Sequence, residues 1–176
     1  SLKRLFGPST LAEARLDPPL PSDVRFRPYN AEDREACLQI YRANEPGRFP
    51  VNHIVEFEKF LSNKAKNFIV ADIDDRVVGF GGLIVEAPNL VVLCYGIVHP
   101  EFQGQRIGTT LTLLRMAQVA GRARLVLFLI YDVEQSVPVY ARCGFAQQAS
   151  IWMAQGGKSF PIGALCLLDR SLQNIK

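Results

Sequence analysis

The apolar positions of this chain change their period several times, and each change marks an element. "DVRFRPY" (residues 23–29) alternates apolar with charged side chains and predicts a first strand. Asn30 then offers an N-cap to "AEDREACLQIYRAN", whose first turn carries acids where a helix dipole favours them. Pro46, Gly47 and Pro50 break the chain. "VNHIVEFEKFLSNKAK" predicts a second helix on Ile54, Phe57 and Leu61, spaced by three and four. "NFIVADIDDRVVGFGGLIVEA" reads as a hairpin turning at Asp74 and Asp75. "NLVVLCYGIV" is a continuous apolar run of strand length, as expected for a strand covered on both faces.

Next comes "VHPEFQGQRIGTTLTLLRM" (98–116), a strand end, a polar turn and a helix with its buried stripe on Ile107, Leu111, Leu114 and Ala117. "RLVLFLIYDV" predicts another doubly covered strand, and "SVPVYARC" a short helix that Gly144 would end in the left-handed conformation. "FAQQASIWMA" and "FPIGALCLLDRSL" flank "QGGK" as a last hairpin. The fold class is therefore α/β, an α+β mixed sheet in the order β-α-α-β-β-β-α-β-α-β-β. A β-α-β crossover falls where two neighbouring strands must run parallel. The prolines of "LDPPLPS" forbid helix or central strand. Residues 1–22 are thus expected as an N-terminal arm, and 23–176 as a single domain.

Composition narrows the function classes. The 176 residues are 48% hydrophobic and 21% charged, with a net charge of only +3, too little to argue for nucleic acid. The charge is unevenly spread. Between Val98 and Arg124, four arginines (106, 115, 122 and 124) face one acid, Glu101. This local excess favours an anionic ligand, or else a solvated helix face with cations near its end. Cysteines 37, 94, 143 and 166 form no CxxC pair, and three lie in apolar stretches like reduced buried thiols. With His53 and His99 as the only histidines, a His-rich metal site is excluded, and no metal is expected. No apolar run approaches the roughly 20 residues that span a bilayer, and no signal-peptide pattern opens the sequence. A cytoplasmic protein, monomer or homodimer, with no membrane or nucleic-acid partner, is expected.

The turn at Gln103–Thr109 is the strongest chemical signal. The first amides of a helix lack intrahelical partners and point outward at the positive end of its dipole. Glycines at 104 and 108 keep side chains away, so a phosphate could approach the backbone closely. An ordinary strand-to-helix turn would use the same residues. No Lys-Ser/Thr pair follows, and G-x-G-x-x-G is not matched, so neither the nucleotide-hydrolysing phosphate loop nor the dinucleotide fingerprint applies.

Val98-x-Pro100 followed by Gln103-x-x-x-x-Gly108 resembles the acetyl-CoA motif of the GCN5-related N-acetyltransferases, the GNAT superfamily. "VYARCGF", about thirty residues on, is similar to that family's "LYxKxGF" segment, and the element order from 23 to about 172 resembles it too. The resemblance implies an acyl-CoA N-acyltransferase fold and acetyl-CoA as cosubstrate. Its pyrophosphate would lie on Gly104, Gln105, Arg106, Ile107, Gly108 and Thr109 after Gln103. Its pantetheine arm would run beside Gly96, Ile97 and Val98, on a strand that carries a bulge and splays from the next one. Tyr140 matches the tyrosine that gives a proton to the CoA sulfur. The acceptor would be a small-molecule or peptide amine, attacking directly in a ternary complex. It would be held by the connection containing Arg48 and Phe49 and by the last hairpin with Trp152 and Phe160.

Three departures bear on these expectations. Arg106 stands where the family has its first glycine; within a helical first turn an arginine meets no backbone difficulty, and its guanidinium would reach a phosphate or point to solvent. Val133 stands where an asparagine is frequent, with Ser136 a substitute. No carboxylate lies in 89–98, so Glu86, Asp132, Glu134 and His53 are the candidate bases and none is assigned. Gly96 marks either a bulge or a packing glycine opposite a large side chain. An acyl-cysteine route through Cys143 or Cys94 lacks a histidine motif to activate either thiol. A degenerate acyl-CoA sensor remains the rival to an enzyme.

Overall fold

A computed structural model of the protein describes residues 20–45, 49, 53–87, 90–119, 125–130, 140, 143, 146–155 and 158–167, with backbone alone for 90, 125–130, 146–155 and 158–167. The strands and helices are β1 (Arg25–Pro28), α1 (Arg34–Asn44), α2 (His53–Asn63), β2 (Ile69–Ile73), β3 (Arg76–Ala87) and β4 (Leu90–Val98), then α3 (Ile107–Val119), β5 (Leu125–Ile130), β6 (Ala146–Gln155) and β7 (Lys158–Leu167). They follow the order that the periodicity predicts. The short helix expected at 136–143 lies outside the described residues except for Tyr140, which is helical, and Cys143, whose amide donates to the Tyr140 carbonyl at 2.9 Å. Of the expected arm, residues 1–19 lie outside the described residues, and Leu20 packs on the core beneath α3.

One seven-stranded sheet runs β1-β2-β3-β4-β5-β7-β6. β4 and β5 pair parallel across the α3 crossover, and the other five neighbours pair antiparallel. The β2–β3 hairpin turns where expected, with Asp74 and Asp75 both left-handed (φ 49° and 63°), the mirror-image turn that suits twisted hairpins.

Helices cover both faces. On one, α1 and α2 bury Leu38, Ile40, Tyr41, Phe57, Phe60 and Leu61 against Phe68, Val70, Phe80 and Ile97. On the other, Ile107 and Leu111 of α3 meet Ile69, Ala71 and Val78. Strand alternation explains the division: Val70 faces one helix layer while its neighbours Ile69 and Ala71 face the other.

α1 does not begin as an α-helix at Ala31. Asn30 accepts from the Glu32 amide at 2.9 Å while Asp33 accepts from the Asn30 amide at 2.9 Å, and this reciprocal box closes a 3-10 turn at Ala31–Asp33. Asp33 also takes both ends of the Arg27 guanidinium at 2.8 Å, and Arg27 Nε donates to the fully buried Asp72 at 2.7 Å. Burial alone would raise the Asp33 carboxyl; Arg27 and the Asn30 amide outweigh it and hold the group below its usual range. β1, β2 and the start of α1 are thereby clamped together.

Candidate active site at the parting of β4 and β5

β4 pairs with β5 from Leu90↔Leu125 to Leu93↔Phe128, where the ladder stops among the described residues. Beyond it, β4 carries a bulge against β3: Phe80 faces Ile97 and Gly82 faces Cys94, two steps on one strand against three on the other. A bulge bends its strand and sharpens the local twist, and no β4–β5 pair falls within Cys94–Val98 among the described residues. The left-handed residue of the bulge is Tyr95 (φ 49°), not Gly96. The same departure corrects the expectation of a uniformly covered strand: Val91, Leu93 and Ile97 are buried, whereas Val92, Cys94, Tyr95 and Val98 are half-buried and Gly96 is exposed.

Side chains grip this bulge from both faces. On the α2 side the Tyr95 ring lies among Phe57, Phe60 and His53, with centroids 4.7, 5.0 and 5.7 Å away. These contacts offset the cost of a left-handed tyrosine. On the α3 side lies Arg115. It belongs to the stretch whose charge suggested an anion or a solvated face, yet it is fully buried. Its Nε donates to the Leu111 carbonyl at 3.1 Å and its Nη2 to Thr112 Oγ1 at 3.1 Å. Its Nη1 donates at 3.2 Å to both the Gly82 and the Cys94 carbonyls, one on each strand at the bulge. A Cβ on Gly81 would sit 2.8 Å from Arg115 Cζ, and one on Gly96 would sit 2.9 Å from Nη2. Both readings of Gly96 therefore hold: it belongs to the bulge, and it packs against a large side chain.

Tyr140 reaches the same point. Its hydroxyl oxygen would be 3.0 Å from a Cβ on Gly96, and the side chain is buried. Burial raises its pKa, opposed by the Arg115 charge and by hydrogen bonds with Arg115 and Thr112.

The turn preceding α3 is fixed from the protein side. Gln103 Nε2 donates to Asn44 Oδ1 at 2.9 Å and to the Val98 carbonyl at 3.0 Å, and Asn44 Nδ2 donates to that carbonyl at 3.1 Å. Gln105 Nε2 donates to the Glu101 carbonyl at 3.4 Å. Arg106 is not in a helical first turn as expected. It stands just before the helix with φ 66°, because the chain must reverse there to aim α3 back over the sheet, so the arginine occupies a backbone state that glycine adopts more cheaply. The Thr110 amide bonds to the Arg106 carbonyl at 2.9 Å, which leaves the amides of Ile107, Gly108 and Thr109 without partners inside the helix. Gly104 is left-handed at φ 77°, and a Cβ placed on it would meet nothing within 4 Å. A Cβ on Gly108 would touch only Val98 Cγ2, at 3.6 Å. The protein itself does not demand a glycine at 108.

The other candidates are less gathered. Phe49 stacks on Tyr41 at 4.6 Å and 19°, and Tyr41 Oη lies 2.8 Å from His53 Nδ1. Burial lowers the pKa of His53, against the pull of Glu56. Glu86 is exposed on β3. Arg48, Asp132, Val133, Glu134 and Ser136 lie outside the described residues, and of Trp152 and Phe160 only the backbone is described. Sequence reasoning missed Asn44, Tyr95, Thr112 and the true place of Arg115. One signal existed: Gly81 and Gly82 stand together inside a strand, and adjacent strand glycines mark a close approach on each face.

A mixed sheet whose parallel pair parts beside a helix with free leading amides is the architecture of acyl-CoA N-acyltransferases. The model of the Acetyltransferase (GNAT) family matches residues 34–145, and the chain belongs to that family. The chain is 30% identical over 153 residues to mycothiol acetyltransferase of Streptomyces griseus, covering 82% of this chain and 48% of that protein. It thus spans about half the length of that curated relative. Among solved structures it resembles yncA from Salmonella typhimurium with its cofactor acetyl-CoA (TM-score 0.65, 16% identity, 83% of this chain and 94% of that one). NAA60 of Arabidopsis thaliana in complex with a bisubstrate analogue is equally similar in fold (TM-score 0.66, 18% identity, 82% and 97%).

Proposed function

We propose that the protein is an N-acetyltransferase that moves an acetyl group from acetyl-CoA to the primary amine of a small molecule or a peptide. The observation that carries this reading is the convergence, at one corner of the sheet, of the leading amides of α3, the parted edge of β4 and the Tyr140 hydroxyl. The residues fit an acyl-CoA. Space over Gly104 and Gly108 is clear of protein, although no packing requires it at 108. The amides of Ile107, Gly108 and Thr109, with Gly104, Gln105 and Arg106, would hold the pyrophosphate, and Gln103 would shape the turn. Gly96, Ile97 and Val98 would hold the amide-bearing arm along the wedge.

Acetyl-CoA supplies an acyl group activated as a thioester, so attack by an amine forms a C–N bond, breaks the C–S bond and yields a thiol. Tyr140 holds, on its hydroxyl, the proton that the sulfur takes up. The amine's surplus proton leaves through water, since a base need only lie within one water of it. Burial pushes the Cys94 thiol up to about 12, which keeps it protonated and supports direct attack over an acyl-cysteine. The relative named mycothiol acetyltransferase supports a small-molecule acceptor.

Calorimetry with CoA and acetyl-CoA, followed by thiol release with a panel of small amines and free-N-terminus peptides, tests the reading. Binding of both, with thiol release that requires an amine, is expected. Absence of binding overturns it, and binding without turnover favours an acyl-CoA sensor.

A further inference from the structure

A tyrosine is an awkward acid for a thiolate. An ordinary thiol has a pKa near 8.5 and an ordinary phenol near 10, so the transfer is uphill before any protein acts on it. Burial of Tyr140 steepens the climb, because it disfavours the phenolate. The phenolate left behind must therefore be held by something. Water is a poor candidate at a side chain that is only 6% exposed.

We infer that Arg115 and Thr112 form the receiving site for the Tyr140 phenolate, with Arg115 as its positioning residue. This rests on the reading that Tyr140 is the proton donor. Both groups come from one helix, α3, three residues apart, and both are buried. Arg115 can only donate, so toward the Tyr140 oxygen it is a donor in either protonation state. Its guanidinium is anchored by the Leu111, Gly82 and Cys94 carbonyls, so it does not reorganise when the phenol ionises. Thr112 is adaptable. Its hydroxyl donates to the Gly108 carbonyl at 2.9 Å while accepting from Arg115 Nη2 at 3.1 Å. Rotation of that hydroxyl would turn a donor toward the phenolate. The arrangement also explains the glycines: a side chain at 81 or 96 would occupy the volume the guanidinium fills, and at 96 also that of the Tyr140 hydroxyl. Arg115 thus joins bulge, acid and α3 in one rigid unit.

The test reads Tyr140 directly. In protein carrying 13Cζ-tyrosine, the chain's five tyrosines give separable signals, and Tyr140→Phe assigns the one of interest. Wild type, Arg115→Met, Arg115→Lys and Thr112→Val are titrated by NMR, with circular dichroism confirming the fold. Arg115→Met is expected to hold about tenfold less phenolate at Tyr140 than wild type at the same alkaline pH, about one pH unit of midpoint. Arg115→Lys should restore part of the difference and Thr112→Val show a smaller one. If Arg115→Met does not fold, the lysine and valine variants carry the comparison. An unmoved Tyr140 midpoint in folded variants overturns the inference. Thiol release from acetyl-CoA with the amine panel separates the two claims. Turnover in wild type with an unmoved midpoint sinks the role of Arg115 alone. A midpoint that shifts in the variants, with a wild type that never turns over, upholds the phenolate site and sinks the acetyltransferase reading.

Discussion

Asn44 and Gln103, 59 positions apart in sequence, share a hydrogen bond of 2.9 Å and both donate to the Val98 carbonyl. The last residue of α1 thereby fixes the turn that aims α3. Asn44 is buried, so Asn44→Ala would leave polar groups of Gln103 and Val98 short of partners, at a cost of about 1–3 kcal/mol. Urea unfolding would show that loss, and calorimetry a several-fold weaker affinity for acetyl-CoA.

Gly108→Ala should separate folding from binding. A Cβ there meets only Val98 at ordinary contact distance, and alanine is the better helix former by about 1 kcal/mol. Stability is expected to hold or rise while acetyl-CoA affinity falls about tenfold or more, a difference of about 1.4 kcal/mol. Thermal unfolding and calorimetry on the same sample check both halves.

Arg106→Gly should also split the two. Releasing a left-handed arginine to glycine is expected to stabilise the fold by about 0.5–1 kcal/mol, since the strain relieved exceeds the entropy glycine loses. If the guanidinium contacts phosphate, acetyl-CoA affinity falls in the same variant and its salt dependence weakens. Unchanged affinity at all salt concentrations would rule out a phosphate contact by Arg106.

Tyr140→Phe keeps the ring and removes the proton. Turnover is expected to drop about a hundredfold, in the range for loss of a general acid, with acetyl-CoA affinity nearly unchanged. Equal losses in both would assign Tyr140 to packing.

His53 gives the pH dependence of stability. Its pKa is lowered in the fold by burial, so the unfolded chain takes up a proton more readily. Stability therefore falls as pH drops below the ordinary histidine value of about 6.5, and His53→Gln should flatten that slope. Urea midpoints at pH 7 and at mildly acidic pH would show whether it does.

The sequence spells out element order because strand and helix periods are local, and the β2–β3 turn because two aspartates tolerate left-handed backbone. The glycine-bearing turn before α3 was legible for the same reason. What escaped it depends on distant contacts. Nothing local distinguishes a solvated arginine on a helix from Arg115, whose burial is set by glycines on β3 and β4. Nothing local says that Arg106 precedes the helix, because the helix start is fixed by how the turn is stitched to α1. The bulge was expected from Gly96, yet the left-handed residue is Tyr95, since aromatic neighbours on α2 hold it there. The expectation of full coverage for β4 failed because a continuous apolar run records composition, and only the register records where a neighbour departs.

Adjacent glycines of β3 look in opposite directions: Gly81 lies under the Arg115 guanidinium, and a Cβ on Gly82 would fall 2.0 Å from the Phe68 ring. At that spot a bare main chain is all that separates the two packed layers. On one face lie Arg115 and the Tyr140 hydroxyl, and on the other the tilted aromatic cluster of Phe68, Phe60 and Tyr95. Enlarging Phe68 or trimming Phe60 would tilt that thin wall. A change in the aromatic layer is thus felt, across a single main chain, at the Arg115 guanidinium on the opposite face of the sheet.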